Sequence, residues 1–227
     1  MNIHIGKQLG FGEQPPLQGE EAERLPLPDA EVYFYRVFFS AAESDRFLTE
    51  LLEKTPWKQE QIRWYGKLIN LPRLTAWYGD AGKVYKYSGI TVEPNAWTDS
   101  LLKIKALIEA ATGVVFNSVL LNLYRDGRDS VAWHSDNEAE LGPQPVIGSV
   151  SFGETRPFNF RHKKTPSLRA KVELSHGSYL LMKGPTQDCW VHEIPKTSRK
   201  VRERINLTFR TIVDVTPAGP NVRTHPQ

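Results

Sequence analysis

From Phe116 onward the chain is cut into short stretches of β-type sequence, roughly 116–124, 146–153, 157–162, 169–174, 178–183, 189–194 and 204–213, each bounded by turn residues. Short strands at this spacing indicate a sandwich, a jelly roll or a barrel. The last stretch is the most informative. Arg204, Asn206, Thr208 and Arg210 alternate with Ile205, Leu207, Phe209 and Thr211, so the two-residue period sets two arginines, an amide and a hydroxyl in a row on one face. A solvent-exposed face would give the same pattern. The alternation in the first stretch places Asn122 and Tyr124 together in the same way.

Two helices are expected ahead of these strands. Ser40-Ala-Ala-Glu43 is a capping-box sequence, and Phe47, Leu48, Leu51 and Leu52 fall on one stripe, which predicts a helix over 41–54, ended by Pro56. A second is predicted from about Trp97 to Ala111, with Leu101, Ile104, Leu107 and Ile108 on its apolar face and Gly113 as its stop. Residues 1–30, rich in Gly, Pro, Gln and Glu, read as an irregular arm, and 214–227 as a C-terminal tail. The fold is expected to begin near Val32.

Between the helices, from Gln61 to Gly89, the aromatics Trp64, Tyr65, Trp77, Tyr78, Tyr85 and Tyr87 are interleaved with Arg63, Lys67, Arg73, Lys83 and Lys86. A surface that stacks bases and grips phosphates has this composition, and so does a hairpin that packs its aromatics on a core.

A chain of 227 residues, 40% of them hydrophobic and 24% charged, is sufficient for one soluble domain and fits neither a collagen-like, a disordered nor a coiled-coil chain. Cys189 is the one cysteine, so no internal disulfide or thiolate zinc cluster can form, and a reducing compartment is expected. The N-terminus lacks a signal-peptide pattern and the apolar runs are too short to span a bilayer, so an intracellular, soluble protein is expected. The net charge is +3, but residues 1–30 carry two basic and five acidic residues, a net of −3, which leaves +6 on the rest. The basic residues bunch in Arg161-His-Lys-Lys and again from Lys196 to Arg204. Such runs can track a phosphate backbone, although they are also ordinary solvated faces.

His134-Ser-Asp136 spaces two ligand-type side chains so that an extended segment points both the same way. By itself the motif is common. A jelly roll brings distant strands side by side, and His192, in Cys189-Trp-Val-His-Glu-Ile, is the candidate third ligand. Two histidines and a carboxylate on one face suit a non-haem Fe(II) oxygenase. Such enzymes usually take electrons from 2-oxoglutarate, whose distal carboxylate needs a cation. Arg204 and Arg210, 12 and 18 residues after His192, offer permanently charged forks for it.

Together these segments resemble the AlkB family of Fe(II)- and 2-oxoglutarate-dependent dioxygenases, nearest the mammalian homologues that demethylate alkylated DNA and RNA. The motifs are Asn122-Leu-Tyr124-Arg-Asp-Gly, Trp133-His134-Ser-Asp136-Asn-Glu138, Ile147-Gly-Ser-Val-Ser-Phe-Gly153 and Phe158-Asn-Phe-Arg-His-Lys163. His176-Gly-Ser, Trp190-Val-His192 and Arg204-Ile-Asn-Leu-Thr-Phe-Arg210 follow, with Pro72-Arg and Tyr78-Gly-Asp-Ala-Gly82 earlier, so the likeness runs from about Phe38 to Val213.

The resemblance implies an α+β fold: a double-stranded β-helix (jelly roll) core over about 31–213, two flanking helices and a nucleotide-recognition lid at 61–89. By the same likeness His134, Asp136 and His192 bind Fe(II), and Asn122, Tyr124, Arg204, Asn206, Thr208 and Arg210 hold 2-oxoglutarate, with Arg204 on its distal carboxylate. Tyr65 stands where relatives insert a finger residue into the duplex, though Arg63-Trp64-Tyr65 is bulkier and more polar than a duplex-specific relative's finger. Tyr85 or Tyr87 would stack on the extruded base, and Glu138 would accept from its exocyclic amine. The implied reaction consumes O2 and 2-oxoglutarate and releases succinate, CO2 and formaldehyde from 1-methyladenine or 3-methylcytosine. The expected partner is alkylated DNA, with RNA as a second candidate, no membrane is involved, and the protein is expected to be a monomer. The alternatives are a 2-oxoglutarate oxygenase acting on a protein or small molecule, a non-catalytic nucleic-acid-binding module, and a cupin-like metal protein. His4, His162, His176 and His225 read as surface or structural residues, and Cys189 as a buried strand residue.

Overall fold

A reciprocal capping box opens the first helix. Ser40 Oγ accepts the Glu43 N–H while the Glu43 carboxylate accepts the Ser40 N–H, and Phe47 and Leu51 are buried below. Thr98 caps the second helix through its hydroxyl, one residue after the expected start, and Gly113 ends it in the left-handed region at φ 69°. Trp97 instead stacks on Phe209, its ring nitrogen donating to Asp80.

The structure, a computed structural model, describes residues 22–213 except 65, 83–84 and 88–89. In chain order its elements are β1 (Glu23–Arg24), β2 (Glu31–Tyr35), α1 (Ala41–Lys54), β3 (Gln61–Trp64), β4 (Lys67–Asn70), β5 (Leu74–Gly79), β6 (Tyr85–Tyr87) and β7 (Ile90–Val92). They continue with α2 (Asp99–Thr112), β8 (Ser118–Tyr124), β9 (Val131–His134), a 3-10 turn (Ala139–Leu141), β10 (Ile147–Gly153), β11 (Arg156–His162), β12 (Arg169–Leu174) and β13 (Ser178–Lys183). Last come α3 (Thr186–Cys189), β14 (Trp190–Ile194) and β15 (Arg204–Arg210).

Among the described residues, β1-β2-β13-β10-β15-β8-β5 form a large antiparallel sheet and β12-β11-β14-β9 a small one. Apart from β1 and β2, neighbouring strands of the large sheet are non-consecutive in the chain, as a jelly roll requires. The two faces of that sheet have different duties. Leu121, Leu123, Val150, Phe152, Ile205, Leu207 and Phe209 pack with Phe47 and Leu51 of α1 and Leu101, Ile104 and Ile108 of α2. The alternate residues face the small sheet, where Ile147, Leu180 and Met182 share a second core with Phe158, Phe160, Trp190 and Ile194.

The 61–89 segment divides. β3–β4 and β6–β7 are separate two-stranded hairpins, with Leu68 and Ile69 exposed on β4. β5 belongs to the large sheet, and its Trp77 and Tyr78 are buried, Tyr78 in the core beneath the helices and Trp77 in the second core. Residues 22–30, read from composition as arm, dock on the fold: β1 pairs with β2, Leu25 and Ala30 are buried, and Trp190 Nε1 donates to the Pro28 carbonyl. Cys189 ends the short α3 instead of lying in a strand, and is partly buried. No helix among the described residues is long and apolar enough to cross a membrane.

Gly177 ties α1 to the sandwich. It adopts φ +77°, its N–H donates to Ser151 O, and its carbonyl accepts from Phe38 and Phe39. A β-carbon here would press on Ser44 Oγ and lie 2.8 Å from Phe39 O. Gly177→Ala is therefore expected to cost about 1–3 kcal/mol, read as a lower urea midpoint at unchanged slope. An unshifted midpoint would show that the turn relaxes without strain.

Candidate active site

β9 and β14 are neighbours in the small sheet, with His134 opposite His192, and this pairing assembles the trio. The candidate ligand atoms of His134, Asp136 and His192 all lie within 4.8 Å of one another. The His134 and His192 ring centroids are 4.3 Å apart, and Phe158 stacks on His192 at 4.8 Å. His134 Nδ1 lies 2.8 Å from the Ala132 carbonyl, which can only accept, so the ring proton sits on Nδ1 and Nε2 presents its lone pair.

The protonation states suit metal ligation. Burial, then the neighbouring His192, pushes the His134 imidazole down to about 4, so it is neutral at physiological pH. Burial pushes the Asp136 carboxyl up, but Arg210, followed by His192 and His134, outweighs it and holds the group well below the usual carboxylate range. Arg210 Nη2 donates to Asp136 Oδ1, while Oδ2 lies 3.4 Å from His192 Nε2. A neutral imidazole and an ionised carboxylate are the forms that ligate. Among the described residues this is the one cluster of at least three such side chains.

The trio lies in a cleft between the sheets. Arg204, Asn206, Thr208 and Arg210 line it from β15, Asn122 and Tyr124 from β8, and Glu138 from the loop after β9. All seven residues of β15 are buried, so its polar row is an interior wall and the exposed-face reading fails. Several of these groups bind one another. Asn206 Nδ2 donates to Ser149 Oγ and Val150 O, Thr208 Oγ1 donates to Asn206 Oδ1, and Asn122 Oδ1 accepts from Arg73 Nε.

Arg204 differs from its neighbours. Its Nη2 donates to Ser151 Oγ, while Nε and Nη1 are buried without an acceptor. Its Cζ lies 5.1 Å from the Tyr124 ring centroid, and Arg156 approaches that ring at 5.8 Å. Burial lowers the guanidinium to about 10, which leaves it charged at neutral pH. Glu138 Oε2 is likewise buried without a hydrogen-bond partner. An interior wall with an unanswered cation, and an unanswered acceptor nearby, is built for a ligand that supplies an anion and a donor.

The aromatic finger residues are outside this geometry. Tyr65 lies outside the described residues, as do the side chains of Tyr85 and Tyr87, whose backbones pair with Val92 and Ile90 in the β6–β7 hairpin. Sequence reasoning passed over Gln187, which accepts the Asp136 N–H, and held Ser149 and Ser151, which bond Asn206 and Arg204, only as part of Ile147-Gly-Ser-Val-Ser-Phe-Gly153. Arg73 was visible only within Pro72-Arg. A lone glutamine carries no spacing signal.

Residues 31–210 match the model of the 2OG-Fe(II) oxygenase superfamily. The chain is 44% identical over 201 residues to the alpha-ketoglutarate-dependent dioxygenase alkB homolog 3 of Rattus norvegicus, covering 85% of this chain and 68% of that protein. It is 38% identical over 221 residues to the DNA oxidative demethylase ALKBH2 of Mus musculus, covering 90% and 92% respectively. Human ALKBH2 is 41% identical over 189 residues, covering 79% of this chain and 72% of that one. The solved structure of OsALKBH1 superposes with a TM-score of 0.56 at 16% identity, covering 84% of this chain and all of that one, a likeness of fold.

Proposed function

This chain belongs to the AlkB family within the 2OG-Fe(II) oxygenase superfamily, and from that premise we propose that it is an oxidative demethylase of N-alkylated bases in nucleic acid. The supporting observation is a single cleft that holds both the His134, Asp136 and His192 trio and, on β15, the unanswered Arg204 guanidinium. The donor set fits Fe(II), and the arginine fits the distal carboxylate of 2-oxoglutarate. His134, Asp136 and His192 would hold the metal; Arg204, with Tyr124 and the polar row of Asn122, Asn206, Thr208 and Arg210, would hold the cosubstrate. When bound, Fe(II) with 2-oxoglutarate and O2 supplies the oxidation of an N-methyl group to hydroxymethyl, which is lost as formaldehyde, with succinate and CO2 as coproducts.

The remaining work falls to the chain itself. Arg210 donates to Asp136 Oδ1, so Oδ2 would be the oxygen offered to the metal. Phe158, stacked on His192, walls that ligand off from water. Glu138 presents a buried acceptor suited to the exocyclic amine of a methylated adenine or cytosine, and its negative charge favours the cationic lesion over the neutral base. Residues 61–89 would include the base-stacking lid, with Tyr65, Tyr85 and Tyr87 as its contacts and surrounding lysines and arginines on phosphates.

The test is anaerobic reconstitution with Fe(II) and 2-oxoglutarate, then air and an oligonucleotide carrying 3-methylcytosine, in DNA and RNA, single and double stranded. The expected result is loss of the methyl mass with formaldehyde release, requiring both cofactors. Succinate without a change in any strand would move the substrate to a protein or small molecule, and neither product would favour a binding module.

A further inference from the structure

We infer that Gln187 is a positioning residue for Asp136, and that Lys163 braces it, the two together holding the His134-Ser-Asp136 loop in metal-binding geometry; this rests on reading the trio as a metal centre. The need for such a device follows from the strand pairing. β9 leaves the small sheet at His134, and the β9–β14 ladder is already irregular between His192 and Ile194. Asp136 is 2% exposed and lies beyond the ladder, so its N–H would be a buried donor without a strand partner.

Gln187 answers that donor. Its side-chain carbonyl accepts the Asp136 N–H at 2.9 Å, and because the donor is a backbone N–H, the oxygen must be the atom facing it. Gln187 is fully buried, and its Nε2 lies 3.5 Å from Met182 Sδ. It projects from α3, the turn that runs directly into β14 and His192. One side chain therefore ties the loop bearing two of the ligands to the entry of the strand bearing the third. With its backbone fixed by Gln187 and Oδ1 fixed by Arg210, Asp136 has one oxygen left, and that oxygen faces His192.

Lys163 completes the clamp from the end of β11. Its N–H donates to Cys189 O, and its ammonium donates to both Gln187 O at 2.7 Å and Ser135 Oγ at 3.0 Å. It thus bridges the backbone of α3 and the loop beside Asp136. Neither Gln187 nor Lys163 lines the cleft, so any effect on the site must pass through the ligands they hold.

The test is titration of the full chain with Co(II) alone, followed by visible absorption and calorimetry, beside thermal melting without metal. Gln187→Met keeps the length and removes the acceptor. It is expected to weaken Co(II) binding by about ten- to hundredfold and to shift the Co(II) bands, beside a metal-free melt lowered only by the loss of one buried hydrogen bond. Gln187→Glu keeps an acceptor in place and is expected to recover most of the affinity. Lys163→Met, on the exposed side, is expected to lose about tenfold, at the weak end of the same range. Wild-type affinity in Gln187→Met would overturn the inference. If Gln187→Met does not fold, the Lys163→Met titration decides, and unchanged binding there overturns it. Wild-type protein that binds no Co(II) would instead overturn the metal-centre reading beneath it.

Discussion

Replacing His134 by alanine is expected to end turnover while leaving oligonucleotide affinity near that of the wild type. Loss of a ligand's hydrogen-bond partner alone costs about ten- to hundredfold in metal affinity or activity, so loss of the ligand itself should exceed a hundredfold. His134 is the cleanest member of the trio to remove. Asp136 is ion-paired with buried Arg210, and Asp136→Ala would remove one member of that buried pair at a cost of about 3–5 kcal/mol, mixing loss of chemistry with loss of fold. His192 sits within the Phe158 and Phe160 stack, so its truncation would leave a cavity. His134 is only partly buried, and its backbone is held in β9 by pairing with His192. The measurements are formaldehyde release on a 3-methylcytosine strand and binding of the same strand without O2. Normal turnover in the variant would remove His134 from the metal site. Lost binding would instead show that its ring also carries the base.

How far this could be read from the chain depended on the range of the interaction. Local signals reached the structure almost unchanged: the Ser40 and Glu43 box, the Gly113 stop and the two-residue alternation of β15 are each set within a few residues. The alternation sorted side chains into two faces but could not tell which face is buried, since that depends on the small sheet covering the polar row. Register was also illegible. Nothing near His192 states that it will pair with His134, because that pairing is a property of the closed jelly roll. The same limit hid the docking of residues 22–30, where a buried Leu25 and the Pro28 carbonyl serve partners far along the chain without any periodicity of their own. Gln187 was missed for a related reason: its role is defined by the end of another strand.

Arg204→Met is expected to separate cosubstrate binding from folding in opposite directions. The guanidinium is 1% exposed, its Nε and Nη1 have no acceptor, and among the described residues no carboxylate lies in ion-pair range of it. The ligand-free protein therefore carries the cost of a buried cation that the Ser151 hydrogen bond and the Tyr124 ring repay only in part. Methionine fills a similar volume without charge, so the ligand-free variant is expected to melt no lower than the wild type, and higher if the desolvation cost dominates. The effect on 2-oxoglutarate should be large and opposite. Truncating one member of a buried, hydrogen-bonded charge pair costs about 2–5 kcal/mol, which at 1.4 kcal/mol per decade corresponds to a rise in KM of roughly 30- to 4000-fold. With the arginine on the end of the cosubstrate remote from the trio, as proposed, kcat at saturating 2-oxoglutarate should fall far less than KM rises. Arg204→Lys keeps the charge but loses the planar fork, and should fall between the two. A variant with wild-type KM would transfer the carboxylate to another cation. A variant that melts well below the wild type, with KM unchanged, would make Arg204 a structural residue held by Tyr124 and Ser151.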